Sequence, residues 1–312
     1  MNPLLPTRCL FAAALALTHG GCATIKRTAV NQLGDALAAG GTTFSADDDP
    51  ELVKAAAPFS LKLMESLLAE SPRHRGLLLA TASGFTQYAY GFVQQEADEI
   101  ADQDFAAATA LRLRARRLYL RARDYGLRGL DAVHDGFALT LRANAPDAVR
   151  HTTVADVPLL YWTAAAWGAA IALSKDDADL IADQGIIEAL IDRALALDEG
   201  FDHGAIHTFL ITYEMARPGG ADDPAARARK HFDRAMELSG SQQAGPLVSL
   251  AESVTLPRQN RTEFEALLQR AVAIDPGARP EWRLLNLAMQ RRARWLLGRT
   301  DELFLPALKE NL

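Results

Sequence analysis

Apolar residues recur at helical spacing along much of the chain. Met64 follows Leu61 by three positions and is followed by Leu67 and Leu68 at three and four, so these residues share one face of a helix. The sequence has no clear run of alternating β-branched residues, the pattern that favours a strand. We therefore predict an all-α fold of about twelve or more helices joined by short turns rich in Gly, Pro and Asp.

Polar residues mark where several of these helices begin. Asp49 precedes Pro50, which combines an N-cap with a proline at the first helical position. Asp223 and Pro224 repeat that pair. Asn260 is followed three positions later by a glutamate, the spacing of a capping box. These signals predict three helix starts.

Three short segments suggest an internal repeat. Ala194–Asp198, Ala235–Ser239 and Ala271–Asp275 share one pattern, and their first alanines lie 41 and 36 positions apart, near the tetratricopeptide period of about 34. Trp282 and Leu285 then fit the first helix of a further repeat. We predict cryptic tetratricopeptide-like helix pairs stacked as an α-α superhelix; alternatively, the recurrence is chance in an Ala-rich helical chain.

The first residues have the character of an export signal. Arg8 is the only charged residue before an apolar run over 9–17, and Gly20 and Gly21 then precede Cys22. We predict a lipoprotein signal over residues 1–21, with Cys22 as the lipidated N-terminus. His19 departs from the usual aliphatic residue, so the alternative is ordinary cleavage nearby with Cys22 as a free thiol.

The signal sets the predicted domain organisation and location. After residues 1–21 we expect an anchor or linker with a short helix over 22–45 and a single all-helical, tetratricopeptide-like domain over 46–312. Acyl chains on Cys22 would hold the protein on a lipid membrane without a transmembrane helix. Ala23, in place of an aspartate, favours the periplasmic face of the outer membrane.

Composition and charge exclude several classes of protein. The chain has 312 residues, a net charge of -6 and two cysteines. An acidic chain lacks the basic surface of a nucleic-acid binder, and two cysteines cannot build a disulfide scaffold. No nucleic-acid partner is expected.

The sequence shows no recognisable catalytic or cofactor-binding motif. The Walker A, dinucleotide-binding, zinc-protease and nucleophile-elbow patterns are absent, so we expect neither an enzyme nor a cofactor. His203 and His207 have ligand spacing on a helix, but zinc needs three or four ligands. We expect polar residues at a helix start there and no metal.

Aromatic residues and one lysine are the candidate ligand contacts. Tyr88, Tyr90, Trp162 and Trp167 could line an apolar pocket. An organic acid would need a cation beside such a surface, and Lys175 supplies one. The alternative is that aromatic residues at helical spacing belong to the core.

One segment is strongly basic. Residues 102–125 are predicted to form a single long helix with acidic residues just upstream. The basic residues would meet an acidic partner or lipid headgroups, or alternatively form a solvated face that pairs with those acids and with neighbouring helices. They are Arg112, Arg114, Arg116, Arg117, Arg121 and Arg123.

Several long segments resemble one protein family. The chain is similar to TatT, the T component of tripartite ATP-independent periplasmic (TRAP) transporters, over nearly all of the sequence beyond the signal. The segments that carry the resemblance are Asn31 to Val53, Leu67 to Tyr90, Arg114 to Leu130, Trp167 to Asp177, His231 to Gly240, Gln259 to Leu268 and Pro280 to Asn286.

The resemblance implies a function in transport without catalysis. It implies a periplasm-facing lipoprotein that forms a homotrimer and pairs with the periplasmic solute-binding P subunit of a TRAP system. It also implies a hydrophobic or amphipathic acid as ligand, and it supplies no catalytic residues. The alternative function is an outer-membrane tetratricopeptide scaffold lipoprotein for a secretion or envelope-assembly complex.

Overall fold

The computed structural model describes residues 28–39, 41–219 and 223–306. Within these ranges the chain is helical and contains no strand, which confirms the predicted all-α class. The predicted signal, residues 1–21, and the predicted lipidation site, Cys22, lie outside the described residues.

The described α-helices follow one another with short connections. They are α1 (described over 28–39), α2 (Gly41–Ser45), α3 (Pro50–Glu70), α4 (Arg75–Tyr88), α5 (Gln95–Ile100), α6 (Phe105–Asp131), α7 (Phe137–Ala143), α8 (Ala145–Val149), α9 (Val157–Ala172), α10 (Ala178–Ala182), α11 (Gln184–Leu197), α12 (Ala205–Tyr213), α13 (Pro224–Leu238), α14 (Gly245–Leu250), α15 (Arg261–Ala273), α16 (Arg283–Gly298) and α17 (Thr300–Leu303). The 3-10 turns Val154–Asp156, Phe201–His203 and Pro280–Trp282 and the π-helical turns Ala89–Gln94 and Ala251–Thr255 lie between them.

The predicted helix starts are confirmed. The Asp49 carboxylate accepts hydrogen bonds from the first backbone amides of α3, Asp223 caps α13, and Asn260 caps α15. The long basic helix α6 starts later than predicted, because the side chain of Asp104 accepts from the backbone N–H of Ala107 and so fixes its N-terminus. It also continues to residue 131.

The largest core cluster lies where α4, α6 and α9 pack together. Gly126 and Gly129 on α6 allow close contact, since a Cβ at Gly126 would lie 2.1 Å from the Thr163 hydroxyl of α9. The segment Val154–Ala172 is long and apolar enough to cross a membrane by composition alone, but 56% of its apolar window is buried inside the fold. That burial makes α9 the central core helix.

Some residues of the predicted repeat are buried late in a helix, as closely packed helix pairs would require. Ala194, Ala235 and Ala271 each lie late in a helix, on α11, α13 and α15, and all are fully buried. Trp282 is buried as well, whereas Leu285 exposes 45% of its surface. The stacked tetratricopeptide arrangement stays a prediction.

The last long helix, α16, returns to the N-terminal part of the described chain. On α16, Arg283 donates to the carbonyl oxygen of Ala46 at 3.1 Å. Arg291 on the same helix donates from Nε to Oε1 of Glu99 on α5 at 2.9 Å. These contacts join the last long helix to the first ones, so the array of helices closes on itself.

Candidate functional site

Arg292 forms the centre of a charged cluster where the array closes. Its guanidinium binds Glu252 in a bidentate manner, with Nη2 to Oε1 at 2.6 Å and Nε to Oε2 at 2.9 Å. Its Nη1 donates to Gln95 Oε1 at 3.0 Å and to Asp98 Oδ2 at 2.9 Å. We call these four residues, with the adjacent Tyr90, the Arg292 cluster. Bidentate charge-assisted bonds of this kind are the strong ones.

Two π-helical turns position this cluster. Tyr90 belongs to the turn Ala89–Gln94, and Gln95 and Asp98 follow it on α5. Glu252 belongs to the second turn, Ala251–Thr255. π-helical turns are rare in proteins overall, and those that occur are often found at functional sites. Arg292 therefore connects both irregular helical segments with the closing helix α16.

Tyr90 lies beside the Arg292 guanidinium and exposes 40% of its surface. Burial of its hydroxyl raises the pKa of Tyr90 to about 12, against the effect of the Arg292 charge. Below it, the buried Tyr119 donates its hydroxyl to Gln94 Oε1 at 2.7 Å.

Arg112 connects the Arg292 cluster with a neighbouring cleft. Its Nη2 donates to Asp98 Oδ1 at 3.2 Å. It also lines a cleft of about 530 Å³ together with Ala172, Leu173, Lys175 and Asp176. We call this the Lys175 cleft.

Two cations and two apolar side chains form most of the Lys175 cleft. Lys175 is exposed and makes no ion pair with the described residues. Arg112 keeps a 33% exposed side chain although it binds Asp98. Ala172 and Leu173, at the C-terminal end of α9, supply the apolar surface. With Asp176 as the fifth lining residue, the cleft carries two cations and one acid, a net positive charge beside an apolar surface that suits a carboxylate on a short hydrocarbon chain.

The structure does not bring the five predicted contact residues into one pocket. Tyr88 and Trp167 are buried, Tyr88 against Phe92 and Trp167 beneath the guanidinium of Arg123 at 4.9 Å. They lie in the core, as the alternative reading of the aromatic residues stated. Tyr90 remains accessible beside Arg292, and Lys175 remains accessible in the cleft.

Trp162 stands apart from Lys175. It is half-buried on the first part of α9, and about 15 Å of helix separates it from the end of α9 that borders the cleft. Its ring lies 5.0 Å from that of Tyr161. Lys175 therefore has Arg112 and Leu173 as cleft neighbours instead of an aromatic ring.

Most of the basic residues on α6 pair with acids of the same chain. The pairs are Arg112 with Asp98, Arg116 with Asp177, Arg121 with Glu65 and Arg123 with Asp124, while Arg114 packs on the ring of Tyr88. The basic segment is thus largely paired within the chain, and of these four pairs one, Arg112 with Asp98, uses an acid just upstream.

The two histidines with ligand spacing lie in different surroundings. The ring of His203 lies 4.9 Å from that of Trp282. His207 is buried and has its Nδ1 2.8 Å from Nδ1 of His231 on α13. In the described part of the chain no three His, Cys, Asp or Glu side chains converge as a metal site would need.

Arg292 and Glu252 were not identified from the sequence. They lie 40 positions apart, and Arg292 lies 194 positions from Asp98. No local motif connects such residues. The sequence offered only a weak signal, the arginine-rich segment Gln290–Arg294. The acids that pair with it could not be identified, because they come close to it only when the array of helices closes.

Comparison with known proteins identifies the family. The model of the TRAP transporter T-component family matches residues 46–304. The chain belongs to that family. This T component is also 30% identical, over 315 residues, to an uncharacterized protein of Treponema pallidum (strain Nichols), covering 95% of this chain and 97% of that protein.

Membership confirms the resemblance drawn from the long segments such as Leu67 to Tyr90. It gives the T component an accessory role in a TRAP-type transporter. The Arg292 cluster and the Lys175 cleft both lie inside the matched residues.

Proposed function

We propose that the T component is a non-catalytic lipoprotein on the periplasmic face of the outer membrane, where it docks the P subunit of its TRAP system. The family match supports the accessory role in this proposal, because it covers nearly the whole described chain. The sequence before the matched part supports the anchor, with Gly20 and Gly21 preceding Cys22. The scaffold alternative has no support from the match.

We propose the Lys175 cleft as the place where a hydrophobic or amphipathic acid is held. The Lys175 ammonium would meet the carboxylate, since it makes no ion pair with the described residues, and the two cations of the cleft outnumber its one acid, Asp176. Arg112 offers a second cation, and Ala172 and Leu173 face the hydrocarbon. The function is binding and handover, with no bond made or broken.

We further propose that the protein works as a homotrimer. Several large apolar side chains are exposed on the single chain: Phe59 on α3 and Phe105 on α6 each expose 74% of their surface, and Leu52 exposes 58%. Contacts between copies would cover such residues. Light scattering on the soluble mature form measures its mass; a strict monomer contradicts this part of the proposal.

A deletion strain tests the accessory role in transport. Removing the gene should lower uptake of the solute carried by the cognate TRAP system, and a plasmid copy should restore it. The Cys22→Ser variant should be made but should move from the membrane fraction to the soluble periplasm. Unchanged solute uptake in the deletion strain contradicts the proposed role.

A further inference from the structure

Residues of α13, α14 and α15 line a second cleft, of about 320 Å³. Small-molecule pockets span about 300–1,000 Å³, so this cleft has room for a small ligand. It shares no residue with the Arg292 cluster or the Lys175 cleft. We call it the Asp233 cleft, after one of the charged residues that line it.

The two long helices that flank this cleft run side by side in the same direction. Near their N-terminal ends, Arg258, just before α15, lies with its Nη2 2.6 Å from Oδ2 of Asp223, the N-cap of α13. Further along both helices, Arg229 on α13 donates from Nη1 and Nη2 to the two carboxylate oxygens of Glu263 on α15. Arg229 and Glu263 line one end of the cleft and are each other's partners.

Two opposite charges further along the cleft have no such partner. Asp233 lies one turn after Arg229 on α13, and Arg270 lies two turns after Glu263 on α15. Both residues are exposed, and neither makes a hydrogen bond or an ion pair with the described residues. A carboxylate and a guanidinium therefore face the same cleft with their bonding capacity unused.

The rest of the cleft wall is apolar. Leu250 of α14 and Leu267 of α15 are buried, with 1% and 4% of their surface exposed. Phe232 of α13 is half-buried, and Ala266 of α15 is exposed. A hydrocarbon group that covers these side chains would remove apolar surface from water, which favours binding.

We propose that the Asp233 cleft binds a small zwitterion with an apolar side chain, the chemistry of a free amino acid. Asp233 would accept hydrogen bonds from the ammonium group, and Arg270 would donate to the carboxylate. The two acids and two arginines of the cleft balance, whereas the Lys175 cleft is net positive. The Asp233 cleft thus favours neither a lone anion nor a lone cation, and its assignment does not rest on docking of the P subunit.

Calorimetric titration of the soluble mature protein with three six-carbon probes tests the proposal. Norleucine carries both charges, whereas hexylammonium and hexanoate each carry one. Norleucine should bind at least about tenfold more tightly than hexylammonium, because it alone can bind Asp233 and Arg270 together. Hexanoate should bind in the Lys175 cleft.

Variants assign each probe to its cleft. Asp233→Asn and Arg270→Gln should each weaken norleucine binding by about tenfold and leave hexanoate binding unchanged. Lys175→Gln should do the reverse. Neither cleft variant should lower the melting temperature appreciably, since each removes an exposed charge that has no partner in the described chain.

Two control variants match these changes in residue type. Asp179 on α10 and Arg117 on α6 are exposed, make no ion pair with the described residues and lie outside the cleft. Asp179→Asn and Arg117→Gln should therefore bind norleucine as the parent does.

Equal affinities for norleucine and hexylammonium overturn the proposal, as does undiminished norleucine binding by Asp233→Asn or by Arg270→Gln. Binding of the P subunit and of hexanoate should be the same in both cleft variants as in the parent. A failure of the Asp233 cleft is therefore distinguishable from a failure of the proposed transport role.

Discussion

Arg292 Nη1 lies 2.9 Å from Asp98 Oδ2, across 194 positions of the sequence. The contact joins α16 to α5, and the same guanidinium binds Glu252. The Arg292 side chain is only 15% exposed, so its ion pairs are shielded from solvent. This relationship explains how a row of helices is held as a closed array.

Replacing Arg292 by Met should destabilise the protein strongly. The change keeps much of the side-chain volume but leaves Glu252 and Asp98 without their shared partner, a loss of about 3–5 kcal/mol for a buried charge. Arg258→Met is the control, because Arg258 pairs with Asp223 at an exposed site and should cost less than about 1 kcal/mol. Urea unfolding measures both; equal losses contradict the closing role of Arg292.

The close contact of α6 with α9 predicts a steric effect. A Cβ at Gly126 would lie 2.1 Å from the Thr163 hydroxyl, so Gly126→Ala should destabilise by about 1–3 kcal/mol through overpacking. On α11 a Cβ at Gly185 meets nothing within 4 Å. Gly185→Ala should instead stabilise by up to about 1 kcal/mol, because alanine favours the helix. Thermal unfolding of both variants checks the opposite signs.

The Lys175 cleft predicts a charge-dependent loss of acid binding. Lys175→Gln should weaken binding of a probe such as hexanoate by about tenfold, the equivalent of 1.4 kcal/mol, without lowering the melting temperature. Lys62→Gln is the matched control, since Lys62 is exposed on α3 and should leave hexanoate binding unchanged. Titration calorimetry gives the affinities, and identical values for the two variants contradict the assignment of the cleft.

The pair of His207 and His231 predicts that stability falls in mild acid. Burial lowers the pKa of both rings below the usual 6.5, and for His231 the neighbouring His207 lowers it further. As the pH falls, the histidines of the unfolded chain therefore bind protons before those of the folded chain. The contribution of the two neutral rings to folding stability is complete above the unfolded pKa of about 6.5 and is lost as the pH falls toward their lower pKa values in the folded protein.

Urea unfolding at pH 7.5 and 5.5 measures that dependence. The parent should be less stable at the lower pH, and His231→Gln should show a smaller difference between the two. Carboxylates such as Glu214, whose pKa is lowered by its arginine hydrogen bonds against the effect of burial, lose their contribution only at lower pH. A pH difference unchanged by His231→Gln contradicts the assignment.

Features set by neighbouring residues were predictable from the sequence. The caps at Asp49 and Asn260 and the helical class depend on contacts a few positions apart. The aromatic residues were harder, since the pattern alone did not separate the buried Trp167 from the accessible Tyr90 on its irregular π-helical turn. Whether an aromatic side chain is buried depends on which helix packs against its ring, and the sequence pattern does not show this.

The candidate site was predictable only in fragments. Lys175 was identified, but its expected neighbour Trp162 lies well back along α9, because a helix separates residues that look close in sequence. Arg292 acquires its partners only when α16 returns to α5.

Binding of the P subunit tests the central claim most directly. Titrating the purified P subunit of the cognate TRAP system into the soluble mature T component should give saturable heat, and an unrelated periplasmic solute-binding protein should give none. The absence of binding at concentrations up to about 100 μM, where even weak specific partners associate, would contradict the proposed docking of the P subunit.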